Sequence, residues 1–379
     1  MNSWDEWVRS ELDSVAATGR WRTNTEFDAF GPEGRVDGRA VVSFASNDYL
    51  GLSAHPALRD AAAAAAEQWG TGATASRLIV GTRPVHQQLE QALAAWRGTD
   101  AALVFPSGFA ANLGVLTVLA DEQTTVFSDA LNHASIIDGC RLSRARVERY
   151  RHNDVAQLDA LLAVDRAANP DGRRLVVTDS VFSMDGDQAH VPELIDICVH
   201  HDALLVLDEA HAVLGPDVPS ARNLPIVRVG TLSKALGSLG GFVAASQPVV
   251  DLLVNRARSY IFTTALSPAD AAAALAAVQI VQSDEGRALT ARLRAVIDRL
   301  APGNPSPIVP VVVGDEDAAV KASRALFEDG VFVPAIRPPT VAPGTCRLRI
   351  ALSAAHSDAM IDRLLGALDR VGLLDRITP

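Results

Sequence analysis

The sequence predicts an α/β fold: a mostly parallel seven-stranded sheet covered by helices, with a smaller C-terminal α+β domain and an N-terminal helical arm. Three observations predict it. Between Ala102 and Ala245 about seven short apolar runs alternate with helix-sized segments, the arrangement of a parallel sheet covered on both faces. Polar and glycine-rich clusters stand just beyond several of these runs, where ligands gather in open α/β sheets. After Pro302-Gly303-Asn304-Pro305-Ser306-Pro307 the alternation gives way to a strand, helix, strand, strand and helix.

In chain order, Trp4, Trp7, Val8, Leu12 and Val15 are spaced for one apolar face of a short helix. Such a helix cannot bury that face alone, so it is expected to lie on the main body or on a partner subunit. Gly31-Pro32-Glu33-Gly34 reads as a turn, and residues 1–45 are assigned to the arm. The alanine-rich stretch 57–69 has high helix propensity and is stopped by Gly70-Thr71-Gly72. A second helix is expected over 86–96, with Leu89, Leu93 and Trp96 on one side. The strand-like runs follow at 102–105, 125–127, 147–150, 175–178, 204–207, 226–229 and 242–245. An alanine-rich helix over 269–281 closes a large domain spanning 46–282. In the small domain, 283–379, strands are expected at 308–313, 331–333 and 346–351, and helices at 318–327 and 358–374.

Composition narrows the function classes. With 48% hydrophobic and 21% charged residues, the 379-residue chain reads as an ordinary globular protein able to bury a large core. A formal charge of -11 argues against nucleic acid as a partner, because phosphate-backbone binding draws on clustered Lys and Arg. Cys140, Cys198 and Cys346 form neither a Cys-x-x-Cys pair nor a disulfide framework, which fits a reducing cytoplasmic home. No metal site is expected. The N-terminus lacks an apolar signal core and no apolar segment approaches membrane-spanning length, so no membrane association is expected either.

The chemistry centres on Lys234, which lies in the glycine- and hydroxyl-rich stretch from Gly230 to Gly241 after the run 226–229. An amine on a turn leaving a buried strand is partly desolvated, which is the setting of a Schiff-base lysine. Asp208-Glu209-Ala210-His211 also invites a helicase reading, but no phosphate-binding loop of the Gly-x-x-x-x-Gly-Lys-Ser/Thr type accompanies it. Taken with Ser46-Asn47-Asp48-Tyr49-Leu50-Gly51-Leu52, Ser107-Gly108-Phe109, His133, Val181-Phe182-Ser183-Met184-Asp185-Gly186-Asp187, Thr231-Leu232-Ser233-Lys234 and Arg347-Leu348-Arg349, the chain resembles the α-oxoamine synthases among the fold-type I pyridoxal-phosphate enzymes. The likeness runs through nearly the whole chain.

That resemblance implies pyridoxal 5'-phosphate as cofactor and a role for each matching residue. Lys234 is the covalent anchor, Asp208 the partner of the pyridine nitrogen, His211 a contact to the ring hydroxyl and His133 the ring's stacking surface. Gly108, Phe109 and Thr231 belong to the phosphate cradle, Ser183 to the cofactor contacts, and Thr263 and Thr264 to the phosphate site of a neighbouring subunit. Asn47 and Arg349 fall near the substrate carboxylate. Arg347 and Arg349 lie on one strand; one of them is expected to be structural, and Arg349 is favoured for the carboxylate, which a planar guanidinium fork suits. Arg20 and Arg22 compete for the arginine that meets the acyl substrate. Where the family often has glutamate, this chain has Asp179. The expected reaction joins L-alanine to an acyl thioester, pimeloyl-CoA or its carrier-protein equivalent, in a homodimer with the site at the subunit interface. Relatives that take glycine or serine are the alternative within the fold, and a non-catalytic scaffold subunit is the alternative from another class.

Overall fold

The seven apolar runs become seven strands of one sheet. The computed structural model describes residues 2–219 and 224–377. Its strands are, in chain order, β1 (Phe27–Phe30), β2 (Glu33–Val36), β3 (Arg39–Ser43), β4 (Ala101–Phe105), β5 (Thr124–Asp129), β6 (Arg146–Tyr150), β7 (Arg173–Asp179), β8 (Ala203–Asp208), β9 (Ile226–Thr231), β10 (Gly241–Ala245), β11 (Ile308–Gly314), β12 (Val331–Phe332), β13 (Ala335–Ile336) and β14 (Cys346–Ala351). The large sheet has the order β4-β10-β9-β8-β7-β5-β6. β10 runs antiparallel to both neighbours, while the pairs from β9 through β6 are parallel.

Period-2 alternation divides the strand residues between two cores. Leu175, Val177 and Val206 pack into one apolar cluster, and Val176, Leu205 and Leu207 into another. Both faces are therefore dry, and a side chain of this kind contributes about 1.5–3 kcal/mol when fully buried. The helix Gly108–Leu119 covers the first cluster through Ala111, Val115 and Leu116. The helix Val191–His200 covers the second through Leu194, Ile195 and Cys198.

The alanine-rich helices form as expected at Pro56–Trp69 and Pro268–Val281. Small side chains let the second of these bury Ala271, Ala273, Ala274 and Ala277 against the body. The C-terminal helix runs over Asp358–Arg370 and ends earlier than the pattern predicts, because Gly372 takes a left-handed φ of +66°.

Two departures concern the N-terminal segment. The arm helix forms over Ser3–Ala17, capped by the Asn2 side chain, but none of its residues is buried. Trp4 and Trp7 remain 69% and 54% exposed, so the main body does not cover this face. Second, the expected turn narrows to Gly31-Pro32, and the residues around it build β1 to β3. β3 then pairs in parallel with β12, Val42 opposite Val331, which joins the segment to the C-terminal part of the chain. β11, β14 and β13 form a third sheet.

At the carboxyl edge of the large sheet, His152 bridges the end of β5 and the loop after β7. Its Nδ1 lies 3.1 Å from Asp129 Oδ1 and its Nε2 2.8 Å from Asp187 Oδ2. Burial pushes the imidazole pKa down, but the bonds to Asp129 and Asp187 outweigh it and raise the value to about 10. A folded-state pKa above the unfolded 6.5 gives stability that is fully present below pH 6.5 and lost as pH rises through 10. His152→Gln is expected to lower stability by about 2 kcal/mol at pH 6, the scale of hydrogen bonds to charged groups. The wild-type advantage in thermal unfolding should shrink steadily from pH 7 to pH 10. A pH-independent difference between the two proteins would contradict the bridge.

Candidate active site

Several strands of the large sheet end at one edge, and each delivers a functional side chain there. β8 ends on Asp208 and β7 on Asp179, directly paired across the sheet, and β9 ends on Thr231. β4 leads into Ser107, whose hydroxyl caps the helix Gly108–Leu119 by accepting from Ala110 N at 3.1 Å. The first N–H groups of that helix are not used within it. The turn after β9 carries Lys234 and is anchored by the buried Leu232 and Leu236 and by bonds Leu232 N to Gly240 O and Ser238 N to Leu232 O, both 2.9 Å. Gly237 in this turn has φ +59°, and a Cβ there would stand 2.4 Å from Ser53 N. Only glycine allows the lysine turn to seat on the segment after Asn47.

Together these ends enclose a cavity of about 210 Å³ lined by Gly108, Phe109, His133, Asp208, His211, Thr231 and Lys234 of the expected set. Ser107, Asn112, Ser135, Asp179 and Ser233 complete its polar lining. Asp208 is buried, with Oδ2 accepting from Asn112 Nδ2 at 2.7 Å and Oδ1 from Ala210 N at 2.9 Å. Asn112 Nδ2 also donates to Ser135 Oγ at 2.9 Å, while its Oδ1 is buried with no hydrogen-bond partner. A buried acceptor left open in a polar cavity marks a place where a ligand completes the network. Asp179 accepts from His133 N at 2.8 Å, and burial, reinforced by the Asp208 charge, pushes its carboxyl well above the usual range.

Lys234 Nζ lies 2.8 Å from His211 Nε2. Burial lowers the amine's pKa, with Asp208 and Asp179 opposing the shift. His211 is held well below its ordinary value by burial and then by the positive charges of Lys234 and Arg349, so the ring is neutral. On the far side of His211, outside the cavity lining, lie Asn47, Arg349 and Ser183. Arg349 Nη2 donates to Asn47 Oδ1 at 3.0 Å, and its Nε donates to the Ser183 carbonyl at 2.5 Å. Ser183 thus enters through its backbone. Arg347 instead pairs with Asp185, a structural contact.

The remaining expected residues lie elsewhere. Thr263 and Thr264 fall outside this lining, half-buried and exposed respectively. Arg20 forms a two-bond contact with Glu316, at 3.3 and 3.1 Å, and Arg22 is exposed. Glu209 points away from Asp208 and accepts from Arg228 at 2.8 and 2.6 Å. That buried pair leaves the acidic dipeptide no role on a metal. Asn112, Ser135 and Tyr49 were missed as site residues. Asn112 was findable, since it stands one helical turn beyond Gly108 on the same face.

The donor set fits pyridoxal phosphate. A buried carboxylate faces the cavity for a ring nitrogen, an amine of lowered pKa is placed for a carbonyl carbon, and a helix N-terminus with Thr231 and Ser233 suits a phosphate.

A model of the aminotransferase class I and II family matches residues 39–368. The chain is 49% identical to the 8-amino-7-oxononanoate synthase of Anaeromyxobacter dehalogenans, over 97% of this chain and 95% of that one. Among solved structures, a serine palmitoyltransferase of S. paucimobilis with bound PLP–myriocin superposes with a TM-score of 0.88 at 31% identity, over 98% of this chain and all of that one. The 8-amino-7-oxononanoate synthase of Francisella tularensis superposes with a TM-score of 0.72 at 27% identity, over 87% and 96% of the two chains.

Proposed function

This chain belongs to the aminotransferase class I and II family and, within it, to the 8-amino-7-oxononanoate synthases of biotin biosynthesis, and on that premise we propose that it condenses L-alanine with a pimeloyl thioester. It is a pyridoxal-phosphate-dependent acyltransferase. The products of the proposed reaction are 8-amino-7-oxononanoate, carbon dioxide and the free thiol of CoA or of a carrier protein. The observation that carries the reading is the half-buried Lys234 amine sharing one small cavity with the buried Asp208 carboxylate.

The residues divide the work as follows. Lys234 would anchor the cofactor, Asp208 would meet its ring nitrogen, His133 its ring and His211 its hydroxyl, and Gly108, Phe109 and Thr231 would hold its phosphate. When bound, the cofactor supplies an electron sink conjugated to the α-carbon of the amino acid. Arg349, oriented by Asn47 and the Ser183 carbonyl, holds the substrate carboxylate by its planar fork. Lys234 removes the α-proton as general base, and its lowered pKa keeps more of the amine neutral at working pH. Arg20 or Arg22 meets the acyl donor.

A homodimer with shared sites is part of the proposal. Thr263 and Thr264 lie outside their own chain's cavity, and next to them Phe262 is 70% exposed. Ile79, in the short helix Arg77–Gly81 just after Ala75, whose carbonyl accepts from Ala265 N, is 75% exposed. A partner subunit would cover this apolar surface. The cytoplasm is the proposed compartment: Cys140, Cys198 and Cys346 are all free thiols. Among the described residues no helix is long and apolar enough to cross a membrane.

Thiol release from a panel of acyl-CoAs and acyl-carrier proteins, with alanine, glycine or serine, tests the substrates. The pair of alanine with the pimeloyl donor is expected to be fastest, and a preference for glycine or serine would overturn the assignment. The same samples run by sedimentation at assay concentration should be dimeric; a fully active monomer would refute the shared site.

A further inference from the structure

Tyr49 is fully enclosed beside the active site, with 0% of its surface exposed, and the reading above gives it no task. Its phenol oxygen lies 2.6 Å from His211 Nδ1 and 3.0 Å from Asn47 Oδ1. His211 and Asn47 belong to two halves of the site, the lysine side and the carboxylate side.

The direction of every bond in this group follows from one premise. An ammonium has only donors, so Lys234 Nζ donates to His211 Nε2. A neutral imidazole accepting at Nε2 carries its proton on Nδ1 and donates it to the Tyr49 oxygen. The Tyr49 hydroxyl proton is then free only for Asn47 Oδ1. Arg349 Nη2, also a pure donor, fixes which end of the Asn47 amide is the oxygen. Burial raises the Tyr49 phenol to about 12, so the hydroxyl keeps its proton.

We propose that Tyr49 is a positioning residue that locks His211 in the Nδ1-protonated tautomer, so that Nε2 stays an acceptor for Lys234 and the lysine is tied to the Asn47–Arg349 pair. This rests on Lys234 being the cofactor anchor and Arg349 the carboxylate site. Binding of a carboxylate at Arg349 alters the Asn47 end of the chain and is felt at the lysine end. In Tyr49→Phe the Nδ1 proton loses its acceptor, and the tautomer with the proton on Nε2 is no longer disfavoured. A proton there faces the ammonium, which loses its hydrogen bond and releases its own proton more readily. Asp208, Asp179, Arg349 and His133 also surround the lysine and are unchanged in this variant.

The sequence contains only two lysines, Lys234 and the exposed Lys321, which makes the test internally referenced. Cofactor-free full-length wild type and Tyr49→Phe are labelled with limiting acetic anhydride at pH 8, and the Lys234 to Lys321 ratio is read by peptide mass. The ratio is expected to rise about tenfold in the variant, the lower end for losing a hydrogen bond to a charged group. An unchanged ratio in a folded variant overturns the proposal. Should the variant fail to fold, nitrogen-15 NMR of histidine-labelled wild type decides: Nδ1 protonated and Nε2 bare supports the lock, and the reverse pattern overturns it. Borohydride reduction of the holoenzyme is run alongside. A shifted ratio without a pyridoxyl label on Lys234 would support the lock while sinking the functional reading it was attached to.

Discussion

Lys234→Ala is expected to lower turnover about ten-thousand-fold or more, because one side chain serves as both covalent anchor and proton acceptor. No second amine is available to replace it. Lys321, the other lysine in the sequence, is exposed on the helix Glu316–Glu328, away from the cavity. Borohydride-treated wild type should carry a pyridoxyl label on the Lys234 peptide alone, and the variant should carry none. Cofactor still held by phosphate and ring contacts in the variant should leave on gel filtration. A label on Lys321, or a rate within tenfold of wild type, would remove Lys234 from the mechanism.

Asp208→Asn should cost about a hundred- to a thousand-fold in kcat, the range seen when one fixed electrostatic group is lost from a catalytic site. The substitution keeps the shape but replaces an acceptor-only group with an amide. Asn112 Nδ2 now points a donor at Oδ2 from 2.7 Å, and Ala210 N points another at Oδ1. The new NH2 therefore opposes one of these donors whichever way it turns. Asp179 complicates the result in a useful way. Burial and the Asp208 charge push its carboxyl pKa well above the usual range, so removing that charge lets Asp179 ionise more readily and partly stand in. The double variant Asp179→Asn/Asp208→Asn is accordingly expected to be several-fold slower than Asp208→Asn. Single-turnover rates with alanine check both. Equal rates for the single variant and wild type would show that no negative charge is needed at the ring.

The main sheet was legible in the sequence because its strands are buried on both faces and therefore spell continuous apolar runs, such as 204–207. β1 and β2 were not, because Phe27–Phe30 and Glu33–Val36 are mostly exposed and show no apolar run. They pair onto β3, which in turn pairs with β12 far along the chain, a contact that local pattern cannot reveal. In the site, the residues carried by the motifs around Lys234 and Asp208 meet in one cavity. Arg347 and Arg349 share one face of β14, so strand alternation could not separate them and only their partners do, Asp185 for the first and Asn47 with the Ser183 carbonyl for the second; Arg20 was equally illegible, since its partner Glu316 lies far along the chain. Tyr49 escaped notice although it sits inside a recognised motif. A buried tyrosine reads as core until the atoms opposite its hydroxyl are known.

The pairing of Val42 with Val331 bears on how the chain is made. A ribosome releases β3 long before β12 exists, so the early hairpins wait with an unfilled edge while the whole central sheet is translated. Contacts of such wide sequence separation form slowly, and an open strand edge invites association with other nascent chains. Production of this protein should accordingly be limited by late closure of the terminal segments, and its yield should respond to chaperone supply and growth temperature more than to anything at the active site.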